Sequence, residues 1–330
     1  MKNPFVTNGY VSPEYFCDRE KETTKIVSLL TNENNIALIS PRRLGKTDLL
    51  RHCFGQPEIK EHYHTFIIDI YATSSVRDFV NVFGKAVLDE LRPKGKSVWS
   101  TFLNVLASLR SEITFDMNGQ PTWGIGLGAI TNPSATLDEI FSYLNNAGKP
   151  CLIAIDEFQQ ITKYADDPNI EAALRTHIQR CSNAHFVFSG SHRHLMGAMF
   201  TSPTRPFYQS VTLINLPPIS VDKYAEFCLK HFERASKLLD TLVITELYER
   251  FNGITSYMQK VMNILFSMTG TGEICIPSMI DTAINDLLDF SADTYDALLY
   301  QMPEKQRIVF MAIAAAVSYT HLTLPTILRV

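Results

Sequence analysis

Absent from the sequence is any C-x-x-C pair: the six cysteines, Cys17, Cys53, Cys151, Cys181, Cys228 and Cys275, are scattered, so neither a zinc site nor a disulfide frame is indicated. Several stand inside apolar runs and read as reduced, buried thiols of a cytoplasmic protein. No apolar stretch approaches bilayer length, and Met1-Lys-Asn-Pro-Phe lacks the apolar core of a secretory signal. No membrane partner is therefore expected. An excess of positive charge is missing too, since 30 Lys and Arg face 34 Asp and Glu, which argues against a surface that coats nucleic acid.

What is there begins with Asn35-Ile-Ala-Leu-Ile-Ser-Pro-Arg-Arg-Leu-Gly-Lys-Thr47, an apolar run leading into Gly45-Lys46-Thr47. In the pattern G-x-x-x-x-G-K-[ST], small residues let backbone N–H groups point at phosphates, the Lys supplies point charge, and the hydroxyl is a Mg²⁺ ligand. Ser40 stands where the first Gly is expected. Serine is small enough to turn the chain, although glycine accepts a wider range of backbone angles. The run Ile36 to Ile39 reads as a buried strand and Thr47 to Phe54 has helical spacing, the strand, loop and helix order that phosphate binding requires. The expected nucleotide contacts are Ser40, Pro41, Arg42, Arg43, Leu44, Gly45, Lys46, Thr47 and Asp48.

About 110 residues on, Pro150-Cys-Leu-Ile-Ala-Ile-Asp-Glu-Phe158 is a second apolar strand, with two carboxylates at its C-terminal end, where open α/β sheets place ligands. Asp156 is expected to hold Mg²⁺ with Thr47, and Glu157 to polarise an attacking water.

Between and around these segments the pattern alternates. Helical spacing from Asp18 leads to the first strand; Thr65 to Ile70 reads as a strand, Val76 to Leu91 as a helix, and Trp99 to Leu109 as another. Ile113 to Met117 and Thr122 to Leu127 flank Asn118-Gly119, a hairpin signal, and are expected to form an insertion over about 110–130. Leu137 to Asn145 and Ile170 to Cys181 read as helices, and His185 to Ser189 and Val211 to Leu216 as strands. Such βαβ alternation implies an α/β fold with a mainly parallel sheet. Beyond Pro217-Pro218 strands are expected to disappear, with helices at Val221–His231, Asp240–Phe251, Tyr257–Met268, Pro277–Asp289 and Tyr295–Gln301. The expected organisation is a core over 1–216, a helical domain over 217–302 and a third segment over 303–330. A helix begins at Glu304, but residues 317–330 abandon its periodicity and read either as a non-native tail or as a flexible terminus.

Four motifs in order carry a family resemblance over residues 1 to 300: Phe16-Cys-Asp-Arg-Glu20, Ser40-Pro-Arg-Arg-Leu-Gly-Lys-Thr47, Ile155-Asp-Glu-Phe-Gln159 and Phe188-Ser-Gly-Ser191. With these the chain resembles the archaeal-type ATPases, a group of STAND and AAA-like P-loop NTPases also found in bacteria. The resemblance implies a three-layer ASCE-type core with an extra strand between the two Walker strands, a helical lid, and a C-terminal winged helix or nuclease-like module; Gln306-Arg-Ile-Val-Phe310 resembles the opening helix of such a winged helix, which the odd tail cuts short. It implies ATP with Mg²⁺, and slow or partner-stimulated hydrolysis with Glu157, Lys46 and Ser191 as the catalytic set. Ser191 resembles a polar sensor of the γ-phosphate, and also reads as the N-cap of the helix that follows.

The family's arginine after the sensor strand is replaced by Gln209, which leaves Arg205 and Arg193 as candidates for a finger. Its G-G-x-P stretch appears as Asn252-Gly-Ile-Thr255, without the proline. A nucleotide-driven switch read by a protein partner is the leading expectation. The alternatives are a nucleotide-binding module without turnover and, by family analogy alone, an ATPase acting on DNA through the winged helix. His192 and His194, two apart at a helix start, face apart and read as solvated or capping residues rather than metal ligands.

Overall fold

Four residues, Ile36-Ala-Leu-Ile39, form a strand that is buried along its whole length, and the elements around it explain why. The computed structural model describes residues 2–91, 114–115, 121–122 and 133–319. The helix expected over 99–109 and residues 320–330 of the tail lie outside the described residues, as does most of the hairpin. In chain order the first unit holds α1 (Glu20–Thr31), β1 (Ile36–Ile39), α2 (Lys46–Phe54), α3 (Pro57–His62), β2 (His64–Asp69) and α4 (Val76–Glu90). There follow the pair β3 (Thr114–Phe115) and β4 (Pro121–Thr122), then α5 (Pro133–Asn145), β5 (Cys151–Asp156), α6 (Ile170–Arg180), β6 (Ala184–Gly190), α7 (Arg193–Thr201) and β7 (Thr212–Asn215). β3 and β4 are antiparallel, with Thr114 opposite Thr122.

The main sheet runs β2–β5–β6–β1–β7 and is parallel throughout. β6 thus lies between β1 and β5. Strands covered on both faces are expected to be continuously apolar, and β1, β5 and β6 are buried at every position while the edge strands β2 and β7 are not. Side chains alternate across the sheet. Ala37 and Ile39 join the core formed with α4, α5, α6 and α7, whereas α1 packs against α2 and β1. Aromatic rings fill the larger core: Phe158 sits 4.4 Å from Phe188, and Phe141 stacks 5.0 Å from His177. α4 starts sharply because the Ser75 hydroxyl accepts the Asp78 N–H, a serine cap of the usual kind.

The second unit comprises Pro217–Val330 together with Met1–Arg19 and the short stretch Arg43–Gly45; the residues before α1 therefore group with the helices, whereas the sequence places 1–216 in one domain. Its helices are α8 (Val221–Arg234), α9 (Thr241–Phe251), α10 (Thr255–Met268), α11 (Ile280–Asp289), α12 (Ala292–Gln301) and α13 (Glu304–Tyr319). Ser220 and Asp240 cap α8 and α9. Phe5 packs among Phe227, Phe232 and Phe266, while the Asn3 amide donates to the Asn263 carbonyl and the Asn263 amide to the Phe5 carbonyl, which holds the N-terminal segment there. The expectation of a strand-free region fails at one place: β8 (Leu238–Leu239) pairs in parallel with β9 (Ile274–Cys275). Two-residue ladders carry no periodicity, so sequence patterning does not register them.

Candidate functional site

Residues 40–45 join β1 to α2, and their backbone is set by two left-handed positions, Arg43 at φ 68° and Gly45 at φ 82°. Nothing lies within 4 Å of where a Gly45 side chain would start, so glycine is required there by conformation, not by space. Ser40 is not among the left-handed residues. Its N–H donates to the Gly190 carbonyl at 3.3 Å and its hydroxyl to the Pro41 carbonyl at 3.0 Å. Serine at this position is therefore unstrained.

The Lys46 side chain folds back over the loop, with Nζ donating to the Ser40 and Pro41 carbonyls at 3.1 and 3.2 Å. It is 7% exposed. Burial holds its ammonium below the usual lysine range, while the charges of Asp156 and Glu157 act the other way. Phosphate oxygens are stronger acceptors than these two carbonyls, so the ammonium is available to an anion seated on the loop.

The Thr47 hydroxyl donates to Asp156 Oδ2 at 2.5 Å, and the Glu157 N–H donates to Asp156 Oδ1 at 3.0 Å. Hydroxyl and carboxylate oxygens are the hard donors that suit Mg²⁺, which also takes water and substrate phosphate as ligands. The Thr47 and Asp156 oxygens therefore fit a Mg²⁺ that takes its other ligands from water and phosphate.

At Glu157 the chain leaves β5 in a left-handed conformation, φ 54° and ψ 40°. The Ser191 hydroxyl lies 3.1 and 2.9 Å from the two carboxylate oxygens. Gln159 Nε2 donates to Glu157 Oε2. Arg42 Nε donates to Ser191 Oγ at 3.4 Å, and its guanidinium lies 5.5 Å from the centre of the exposed Tyr71 ring.

The structure thus brings together Ser40, Pro41, Arg42, Lys46, Thr47, Asp156, Glu157 and Ser191. Other expected residues are engaged elsewhere. Leu44 is buried, Asp48 lies 3.7 Å from Arg51 on α2, and the Arg43 guanidinium lies 4.8 Å from the centre of the Tyr257 ring within the second unit. Ser191 is not the N-cap of α7; His192 holds that position without a side-chain cap. Arg205 is bonded to the buried Glu171, and Gln209 to the Tyr208 hydroxyl. Arg193, His192 and His194 are exposed. Sequence reasoning missed Gln159 and Tyr71; Gln159 was visible only as part of the Ile155-Asp-Glu-Phe-Gln159 motif.

A parallel sheet with a phosphate-type loop after β1, carboxylates at the end of β5 and β6 between the two defines a P-loop nucleotide-binding ATPase. The family model described as an ATPase domain predominantly from Archaea matches residues 16–261. The chain belongs to that family. No curated protein matches it. Among solved structures it is similar to the Walker-type ATPase of Pyrococcus abyssi, at 19% identity and TM-score 0.61, over 90% of this chain and 79% of that one. It is also similar to the Aeropyrum pernix ORC2 protein with ADPNP and ADP, at 13% identity and TM-score 0.59, over 97% and 79%. The Aeropyrum pernix ORC1 protein in complex with DNA matches at 12% identity and TM-score 0.58, over 92% and 73%. At these identities the likeness is one of fold.

Proposed function

We propose that this protein is a Mg²⁺-dependent ATPase acting as a nucleotide-driven conformational switch of the STAND and AAA-like kind, in a cytoplasmic setting and with a protein partner that reads its state. The observation that carries the reading is the joining of Thr47 to Asp156 beside a buried Lys46 and a hydrogen-bonded Glu157. Lys46 would neutralise the β- and γ-phosphates, and the N–H groups at the start of α2 would cradle their oxygens. Thr47 and Asp156 would hold Mg²⁺, which when bound offsets phosphate charge. Glu157 would accept a hydrogen bond from the attacking water and orient it, with Ser191, bonded to its carboxylate, as a polar sensor of the γ-phosphate.

A second reading, tight binding with turnover only when a partner supplies an arginine, is favoured by two observations. Gln209 stands at the family's arginine position, and Arg205 is occupied by Glu171. A DNA partner has weaker support: one fold neighbour was solved with DNA, but the net charge of −4 gives no basic field.

The test is ATP binding and turnover with Mg²⁺ by the wild type and Lys46→Ala. Binding and turnover in the wild type, both weakened at least about tenfold in the variant, are expected. Equal binding by the two would remove the loop from the account.

A further inference from the structure

Gln159 is 3% exposed, and its amide engages one group. Nε2 donates to Glu157 Oε2, while Oε1 is buried with no hydrogen-bond partner among the described residues. A buried amide oxygen without a partner costs stability, and an apolar side chain of the same length would avoid that cost. Fold stability alone therefore gives no reason for a glutamine here. The neighbouring strand nonetheless leaves it room: a Cβ on Gly190, the last residue of β6, would overlap Gln159 Oε1 and lie 2.6 Å from Met196 Sδ. Gly190 has no left-handed φ, so its glycine serves space.

Glu157 is held by its backbone and by two side chains. Its left-handed backbone turns it off the strand, and its side chain is then fixed by Ser191 and Gln159. The serine hydroxyl carries one proton and can bond either carboxylate oxygen. Gln159 reaches Oε2 alone, so the amide is what sets the rotation of the carboxylate.

We infer that Gln159 is a positioning residue for Glu157, its buried amide fixing the orientation of the carboxylate that aligns the attacking water. The inference rests on the reading of Glu157 proposed above. It assigns a cost in fold stability to a gain in geometry, a trade found where function overrides packing.

The experiment measures kcat, KM, nucleotide affinity and Tm with ATP and Mg²⁺ for the wild type, Gln159→Met, Gly190→Ala, Glu157→Gln and the double variant Glu157→Gln/Gln159→Met. Gln159→Met is expected to lower kcat about tenfold or more, keep KM and affinity within about twofold, and hold or raise Tm. Gly190→Ala displaces the same amide from outside and should reproduce the kcat loss with binding kept. The double variant should fall no further than Glu157→Gln, because the amide acts through the carboxylate. Wild-type kcat in Gln159→Met, a parallel loss of affinity and Tm, or multiplicative losses in the double variant would overturn the inference while leaving Glu157 in place. Undiminished turnover in Glu157→Gln would overturn the Glu157 reading and the inference with it.

Discussion

The Thr47 hydroxyl and the Asp156 carboxylate meet at 2.5 Å across 109 residues of sequence. One stands in the first turn of α2, the other at the end of β5, and β6 separates their strands in the sheet. A hydroxyl and a carboxylate oriented on each other present two hard oxygens to one point. Thr47→Ala and Asp156→Asn should each remove at least about tenfold of the Mg²⁺-dependent part of ATP affinity, and Thr47→Ser should keep it. Calorimetric titration with and without Mg²⁺ checks this, and an unchanged Mg²⁺ dependence would contradict it.

The loop carries an opposite pair of substitutions. Gly45→Ala forces an L residue to φ 82° and should cost about 1–2 kcal/mol and weaken ATP binding. Ser40→Gly restores the residue common in such loops, yet should lower stability by about 0.5–1 kcal/mol, because the native φ does not need glycine and the unfolded chain gains freedom. ATP affinity in Ser40→Gly should stay within about twofold. Urea denaturation and nucleotide titration of both variants give the comparison.

The loop, the acidic strand and the parallel character of the sheet were legible because each rests on local pattern: Ile36 to Ile39 before Gly-Lys-Thr, and Cys151 to Ile155 before Asp-Glu. What was not legible depends on distant partners. α3 is six residues long and begins at Pro57, too short for a period. The turn over Phe158–Lys163 is a 3-10 helix whose Phe158 is fixed by Phe188, Phe200 and Phe207 from further along the chain. The contact of Ser191 with Glu157 arises only once β5 and β6 lie side by side.

Four histidines set an acid limit on stability. Burial lowers the pKa of His52, His177, His185 and His231, with Arg234 lowering that of His231 further and Glu14 opposing. The unfolded chain then binds more protons than the fold between those lowered values and about pH 6.5. Their contribution is complete above about pH 6.5 and is lost as pH falls through the folded values. Tm should drop between about pH 7.5 and about pH 5.5. His231 stands 4.5 Å from Phe227 and 5.9 Å from Tyr15, and His231→Phe should reduce the drop.

Arg205 answers to Glu171, a carboxylate whose pKa burial raises while the arginine lowers it. Arg205→Ala would leave Glu171 without its partner and should cost about 1–3 kcal/mol. The effect belongs to the fold, so kcat measured well below the variant's Tm should stay within about twofold of wild type. A large kcat loss at unchanged Tm would instead assign Arg205 to the phosphates.

The account turns on Glu157, and the most direct measurement is ATP turnover at saturating ATP and Mg²⁺ by the wild type and Glu157→Gln, with affinity recorded for both. Loss of turnover by at least about a hundredfold in the variant, with ATP still bound as tightly, is the predicted result. Equal turnover by the two proteins would contradict it.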